Sequence, residues 1–146
     1  MGERREMSVP VNERSHGKLE AYTKAYELAV YTLRITKNKK IFTVEFQEEL
    51  TDRIITAALD IYLLVGCAND MQVRTKDDER NYKERLAMQR KALKRCGELN
   101  KLIILAKPIF HLTSKRVKYW AGLTQDTRSL IKAWSDSDKK RFMSLF

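Results

Sequence analysis

The sequence predicts a single all-α domain, an up-down-up-down bundle of four helices, and three observations predict it. Apolar residues recur at intervals of three and four along four separate stretches, the period of a helix with one buried face. Only five Gly and two Pro occur in 146 residues, too few for the many turns of a sheet protein. At 43% hydrophobic, a chain of 146 residues can build one core but not comfortably two.

Residues 1–17 (MGERREMSVPVNERSHG) are charged and without period, and hold Pro10 and Gly17. They are expected to form a flexible arm. The bundle is expected over residues 18–135. Its first helix runs from about Lys18 to Lys37, with Leu19, Tyr22, Tyr26, Ala29 and Leu33 as the buried seam. Glu20 near its start and Lys37, Lys39 and Lys40 at its end suit the helix dipole. Thr43 can cap the second helix, whose stripe is Phe46, Leu50, Ile54, Ala57, Ile61, Leu64 and Ala68. From Ile54 onward its other faces are apolar too (Ile55, Ala58, Leu59, Tyr62, Leu63, Val65). Such a helix needs cover on more than one side, from a central position or from another subunit. Asn69 and Asp70 end it.

Asp77 or Asp78 can cap the third helix, expected to run to about Lys107 with Tyr82, Leu86, Leu93, Cys96 and Ile103 inward. Pro108 stops or kinks it. The fourth helix starts at Thr113 or Ser114 and carries Val117, Trp120, Thr124, Thr127, Ile131 and Trp134 at helical spacing. Ser135-Asp136-Ser137-Asp138 is expected to break it, leaving residues 136–146 as a short C-terminal tail.

Charge is distributed unevenly. The net charge is +10, yet residues 1–70 hold 10 Lys and Arg against 11 Asp and Glu, while residues 71–146 hold 19 against 8. An excess so concentrated suggests a polyanionic partner, nucleic acid first. Cys67 and Cys96 are too far apart for CxxC chemistry and read as buried thiols of a reducing compartment. Residues 1–18 hold no apolar run, and the longest one, Ile61–Cys67, is too short to cross a bilayer. A cytoplasmic location without membrane contact is therefore expected.

The search for chemistry finds nothing that points to an enzyme, a cofactor or a metal. His16 lies in the arm and His111 in the last loop, where a solvated or capping role is the ordinary one. Neither belongs to an HExxH pair, no Cys/His set has zinc spacing, and no glycine-rich phosphate loop occurs. Glu45, Glu48, Glu49 and Asp52 stand on the first turns of a helix, where the dipole favours carboxylates.

The cations are more informative. At about 100° per residue, Lys83, Arg90, Lys94 and Lys101 share one side of the third helix, with Lys91 and Arg95 extending it. Only Glu84 and Glu98 interrupt them. This ridge is expected to run beside the core face. The fourth helix adds Lys115, Arg116 and Lys118, then Arg128 and Lys132. Solvated helix faces usually mix signs in i, i+4 pairs, and this one mostly does not. Repeated cations can neutralise several phosphates of RNA or DNA at once. No signature of base-specific reading is present, so backbone and shape recognition is expected. The aromatic residues lie on or beside core stripes and are read as core.

KLEAYTKAYELAVYTLRITKNKK at Lys18–Lys40, LTDRIITAALDIYLLVGCAND at Leu50–Asp70 and RVKYWAGLTQDTRSLIKAW at Arg116–Trp134 resemble the first, second and closing helices of a bacterial four-helix-bundle family. That family includes the intervening-sequence proteins of large ribosomal RNA genes and Avd, the accessory variability determinant of diversity-generating retroelements. The resemblance covers roughly residues 18–135. The intervening-sequence branch usually carries a SIPxNIAEG-like segment where this chain reads ITAALDIYLLVG at Ile55–Gly66, which tilts the resemblance towards Avd. Membership implies a homopentameric barrel of basic bundles that associates with a reverse transcriptase and its template RNA. The other branch implies a structural bundle with an acidic or ribosomal partner.

Overall fold

The structure is a computed structural model that describes the backbone of residues 9–146 and the side chains from residue 20 onward. Four long helices follow one another: α1 (Val9–Thr36), α2 (Asp52–Asp70), α3 (Glu79–Phe110) and α4 (Ser114–Phe142). No strand occurs among the described residues. Each helix packs on two neighbours in the cyclic order α1, α2, α3, α4, so the chain is a four-helix bundle. Among the described residues no helix is long and apolar enough to cross a membrane.

Residues 1–8 of the expected arm lie outside the described residues. Residues 9–17 are helical backbone, so α1 begins well before Lys18. Its inward seam is Ala21, Ala25, Leu28, Thr32 and Thr36. The seam expected through Tyr22, Tyr26 and Leu33 is corrected by about one residue, and Leu19 lies outside the described side chains. Small residues let α1 approach its neighbours closely, while Tyr26 and Leu33 stay 53% and 44% exposed. Thr32 is buried because its hydroxyl accepts the indole N–H of Trp120 at 3.0 Å.

Thr43 is extended and begins a 3-10 turn, Val44–Phe46, without a side-chain cap bond. A π turn, Gln47–Thr51, then leads into α2. Leu50, Ile54, Ala57, Ile61 and Ala68 are buried as expected, while Phe46 and Leu64 are half-buried. At the other end of α2, Asp78 stands at the start of α3 as expected, but its carboxylate turns back to form a capping box with Thr75 in the connection and does not cap α3. The Asp78 carboxylate accepts the backbone N–H groups of Arg74 (2.8 Å) and Thr75 (3.1 Å), and Thr75 Oγ1 accepts that of Asp77. Those two N–H donors hold the Asp78 carboxyl below its ordinary value.

Pro108 does not stop α3, which runs on to Phe110. The proline is exposed, so water can serve the carbonyl that it leaves without a donor. His111, at φ 54°, takes the left-handed position that ends the helix, and Leu112 N–H closes on Lys107 O at 2.9 Å.

The expected break at Ser135–Asp138 is also corrected: α4 continues to Phe142. Asp138 is only 2% exposed and Arg85 on α3 only 4%. Arg85 Nε and Nη2 donate to the two Asp138 oxygens at 2.7 and 3.1 Å, and Nη1 donates to Met71 O at 2.9 Å. Gln89 Nε2 and Arg141 Nη2 also donate to Asp138. The guanidinium lies 5.1 Å from the Trp134 ring centre. A carboxylate with four such donors is drawn inward, and its helix is drawn with it.

A buried charge left short of partners is costly. Arg85→Met should destabilise the fold by about 3 kcal/mol, because Asp138 then keeps only Gln89 and Arg141. The double variant Arg85→Met/Asp138→Leu should recover most of that loss in urea denaturation. A double variant as unstable as the single one would contradict a compensated pair.

Candidate nucleic-acid interface

The inward seam of α3 passes through Arg85, Gln89, Ala92, Cys96, Leu99 and Ile103. At about 100° per residue, Lys83, Arg90, Lys94 and Lys101 fall on the opposite side of the helix. All four are exposed, as is Lys91. The ridge therefore faces outward, and the expectation that it runs beside the core face is corrected. That expectation followed Tyr82, Leu86 and Leu93, the bulkier apolar side chains. Tyr82 and Leu93 are half-buried on the flank towards α4; Leu86, Cys96 and Ile103 are buried as expected, and Arg85, Gln89, Ala92 and Leu99 complete the seam.

Lys83 reaches Glu79 at 3.4 Å. Arg90, Lys91, Lys94 and Lys101 have no ion-pair partner among the described residues. Arg95 differs. It is half-buried and pairs with Asp60 of α2 at 3.4 Å and with Glu98 at 3.0 Å, so it ties α3 to α2 and leaves the ridge. From Lys83 to Lys101 the ridge extends about 27 Å, at about 1.5 Å per residue. One strand of nucleic acid carries a phosphate every 3.4 Å or so along a duplex axis, so a ridge of this length spans several.

Lys115 and Lys118 are exposed at the start of α4, beyond the last cation of the ridge. Arg116 is half-buried beside Tyr31. Burial pushes the Tyr31 hydroxyl up, and the Arg116 charge partly offsets this. The structure thus leaves Lys115 and Lys118 exposed and turns Arg116 towards Tyr31 of α1. Lys132 is held by Asp136 at 2.8 and 2.9 Å and is not free to bind.

Arg128, which the sequence adds to the cations only by its spacing from Lys132, is brought to α3 by the fold. It projects from α4 over a groove that Leu93, Lys94, Gly97, Glu98 and Lys101 of α3 also line. Helix-to-helix register is needed to see this, and one helix's periodicity does not contain it. The groove between α2 and α3 is larger, about 640 Å³. It is lined by carboxylates as well as cations, Asp52, Asp60 and Glu98 beside Arg53, Arg95 and Lys101, and Arg95 pairs with both Asp60 and Glu98.

Between α1 and α2 the contact is aromatic: Tyr22 and Tyr26 each meet Tyr62, with ring centres 5.5 and 6.1 Å apart. Tyr26, Leu33 and Leu63 are exposed, and Leu63 lines a groove with Lys91 and Arg95 of α3. The Tyr22 and Tyr62 hydroxyls share a hydrogen bond of 2.9 Å, which with partial burial raises the Tyr22 hydroxyl above its ordinary value. Among the described residues no group of three or more His, Cys, Asp and Glu is placed to hold a metal.

No family model, curated protein or solved structure matches this chain.

The two cysteines differ, correcting the expectation that both are buried. Cys67 is exposed and Cys96 is buried. Burial pushes the Cys96 thiol up to about 12, with Arg128 opposing. The thiolate is the reactive form, so at pH 8 the folded protein should react with a disulfide reagent at Cys67 alone. One fast equivalent per chain, lost in Cys67→Ser, is expected. Rapid reaction of the Cys67→Ser variant would show that Cys96 is not sealed in the core.

Proposed function

We propose that this chain is a non-catalytic accessory protein of the Avd type, holding RNA or an RNA–DNA hybrid by its backbone in the cytoplasm. The observation that carries this reading is the outward face of α3, where Arg90, Lys91, Lys94 and Lys101 stand exposed without a carboxylate partner. A face kept only for solubility gains by pairing its charges, whereas a polyanion site gains by leaving them unpaired. Recognition would be by charge and shape. The chain would position a template while a reverse transcriptase supplies the chemistry, as the resemblance implies.

The reading includes self-association into a ring, pentameric by the same resemblance. The apolar face of α1 and α2 supports it: in this bundle α2 has neighbours on two sides, and Leu63 faces out. A second copy seated on the α1 part of that face, around Tyr26 and Leu33, would leave the α3 ridge uncovered, since α1 and α3 are not neighbours in the bundle, and repeated ridges would add weak phosphate contacts into avidity.

That apolar face also favours a second reading, a structural bundle of the intervening-sequence type that meets an acidic protein. Salt dependence separates the two. For RNA binding, log affinity should fall steeply against log salt, by about 0.7 per single-strand phosphate contact. Changing Arg90, Lys94 and Lys101 together to Glu should abolish RNA retention in a low-salt shift assay while circular dichroism stays helical. Wild-type retention by that variant would sink the reading. Light scattering should report a multimer; a monomer at micromolar concentration would remove the ring.

A further inference from the structure

The groove between α3 and α4 is more specific than a charged surface. Lys94 and Lys101 lie two turns apart on one side of α3, about 10.5 Å along the axis, with Gly97 between them. A Cβ built at Gly97 would meet nothing within 4 Å, so the missing side chain leaves open space. Arg128 closes this space from α4, and the cavity measures about 400 Å³. Arg128 also lies near enough to α3 for its charge to act on the Cys96 thiol.

Among the groove's lining residues the one carboxylate is Glu98, held by Arg95 at 3.0 Å. Lys94, Lys101 and Arg128 have no ion-pair partner among the described residues. An anion seated between Lys94 and Lys101, opposite Arg128, lies within a Debye length of about 8–10 Å of the cations and is attracted by each. The planar fork of Arg128 offers two parallel donors to a phosphate, and the lysines add point charges.

We propose that the groove floored by Gly97 and rimmed by Lys94, Lys101 and Arg128 is a phosphate subsite that seats one phosphodiester of a nucleic-acid strand. It rests on the reading that this side of the bundle holds nucleic acid, and it adds a path. The strand crosses from the α3 ridge onto α4 at Arg128 and does not simply follow α3. Gly97 allows the backbone to come close, because any side chain there would project into the groove.

The test is fluorescence anisotropy of a labelled single-stranded RNA over a range of salt. Arg128→Gln should weaken binding several-fold and reduce the slope of log affinity against log salt by about 0.7, one phosphate contact. Gly97→Glu should weaken it ten-fold or more. Gly97→Ala serves as the fold control and should match or exceed wild-type helicity, since alanine favours a helix interior over glycine. Arg53→Gln removes an equal charge on the α2–α3 side and should leave the slope unchanged. If wild type binds RNA while Arg128→Gln and Gly97→Glu behave like Arg53→Gln, the groove assignment is overturned and the broader reading stands. If wild type binds no RNA at any salt, the broader reading is overturned. Inorganic phosphate is the second arm, at constant ionic strength. Phosphate that saturates the Gly97 amide shift without displacing RNA marks a free-ion site and overturns the assignment to the polymer.

Discussion

The buried contact between Arg85 and Asp138 fixes how α4 lies along α3. With Asn100 Nδ2 donating to Gln125 Oε1 at 2.8 Å, it pins the two antiparallel helices at two levels. Arg128 stands between those levels, which brings it opposite the stretch from Lys94 to Lys101. A one-residue slip of α4 would turn Arg128 away from the groove and leave two charges buried without each other. A buried pair often contributes little net stability compared with well-packed apolar side chains, because desolvation offsets the attraction. Its worth in this bundle is alignment: few other pairings could satisfy Arg85 and Asp138 at once.

The same pair explains the helix end. Asp136 is engaged by Lys132, Ser135 is buried, and Asp138 points inward to four donors. Residues that favour turns when solvated remain helical when their polar groups find partners within the bundle. Beyond them, Tyr82 of α3 meets Phe142 edge-on at 5.2 Å and stacks on Phe146 at 5.4 Å, so the last residues cover the start of α3. With the two helices fixed in this way, the bundle has two unlike sides. Arg90, Lys91, Lys94 and Lys101 of α3 have no ion-pair partner among the described residues, with Ile104 and Leu105 exposed beyond them, and Tyr26 and Leu33 lie exposed on α1.

Helix number and order were legible in the sequence because apolar spacing at three and four survives substitution of one hydrophobic residue by another. Seams were less legible. In α1 and α3 the inward positions are Ala21, Ala25, Thr32, Arg85, Gln89 and Ala92, which a search for large apolar residues passes over. Tyr22, Tyr26 and Leu93 attracted the seam although they sit on its flanks. Helix ends failed for a related reason: Pro108 and Ser135–Asp138 break helices by local preference, and tertiary partners or solvent exposure override that preference here. Four ridge cations could be grouped on one face from spacing alone, since all lie on one helix. Arg95 and Arg116 were grouped with the exposed cations although the structure turns them to partners on other helices, because whether a cation is paired across a seam or left open depends on neighbouring helices.

The central claim is that the α3 side of the bundle, and not its other basic positions, contacts nucleic acid. Lysine footprinting reads this directly, by the loss of acetylation at each lysine when RNA is added at low salt. Protection should concentrate at Lys91, Lys94 and Lys101, and leave Lys37 and Lys40 at the far end of α1 as reactive as in the free protein. Uniform protection, or protection at Lys37 and Lys40 with none on α3, would contradict the account.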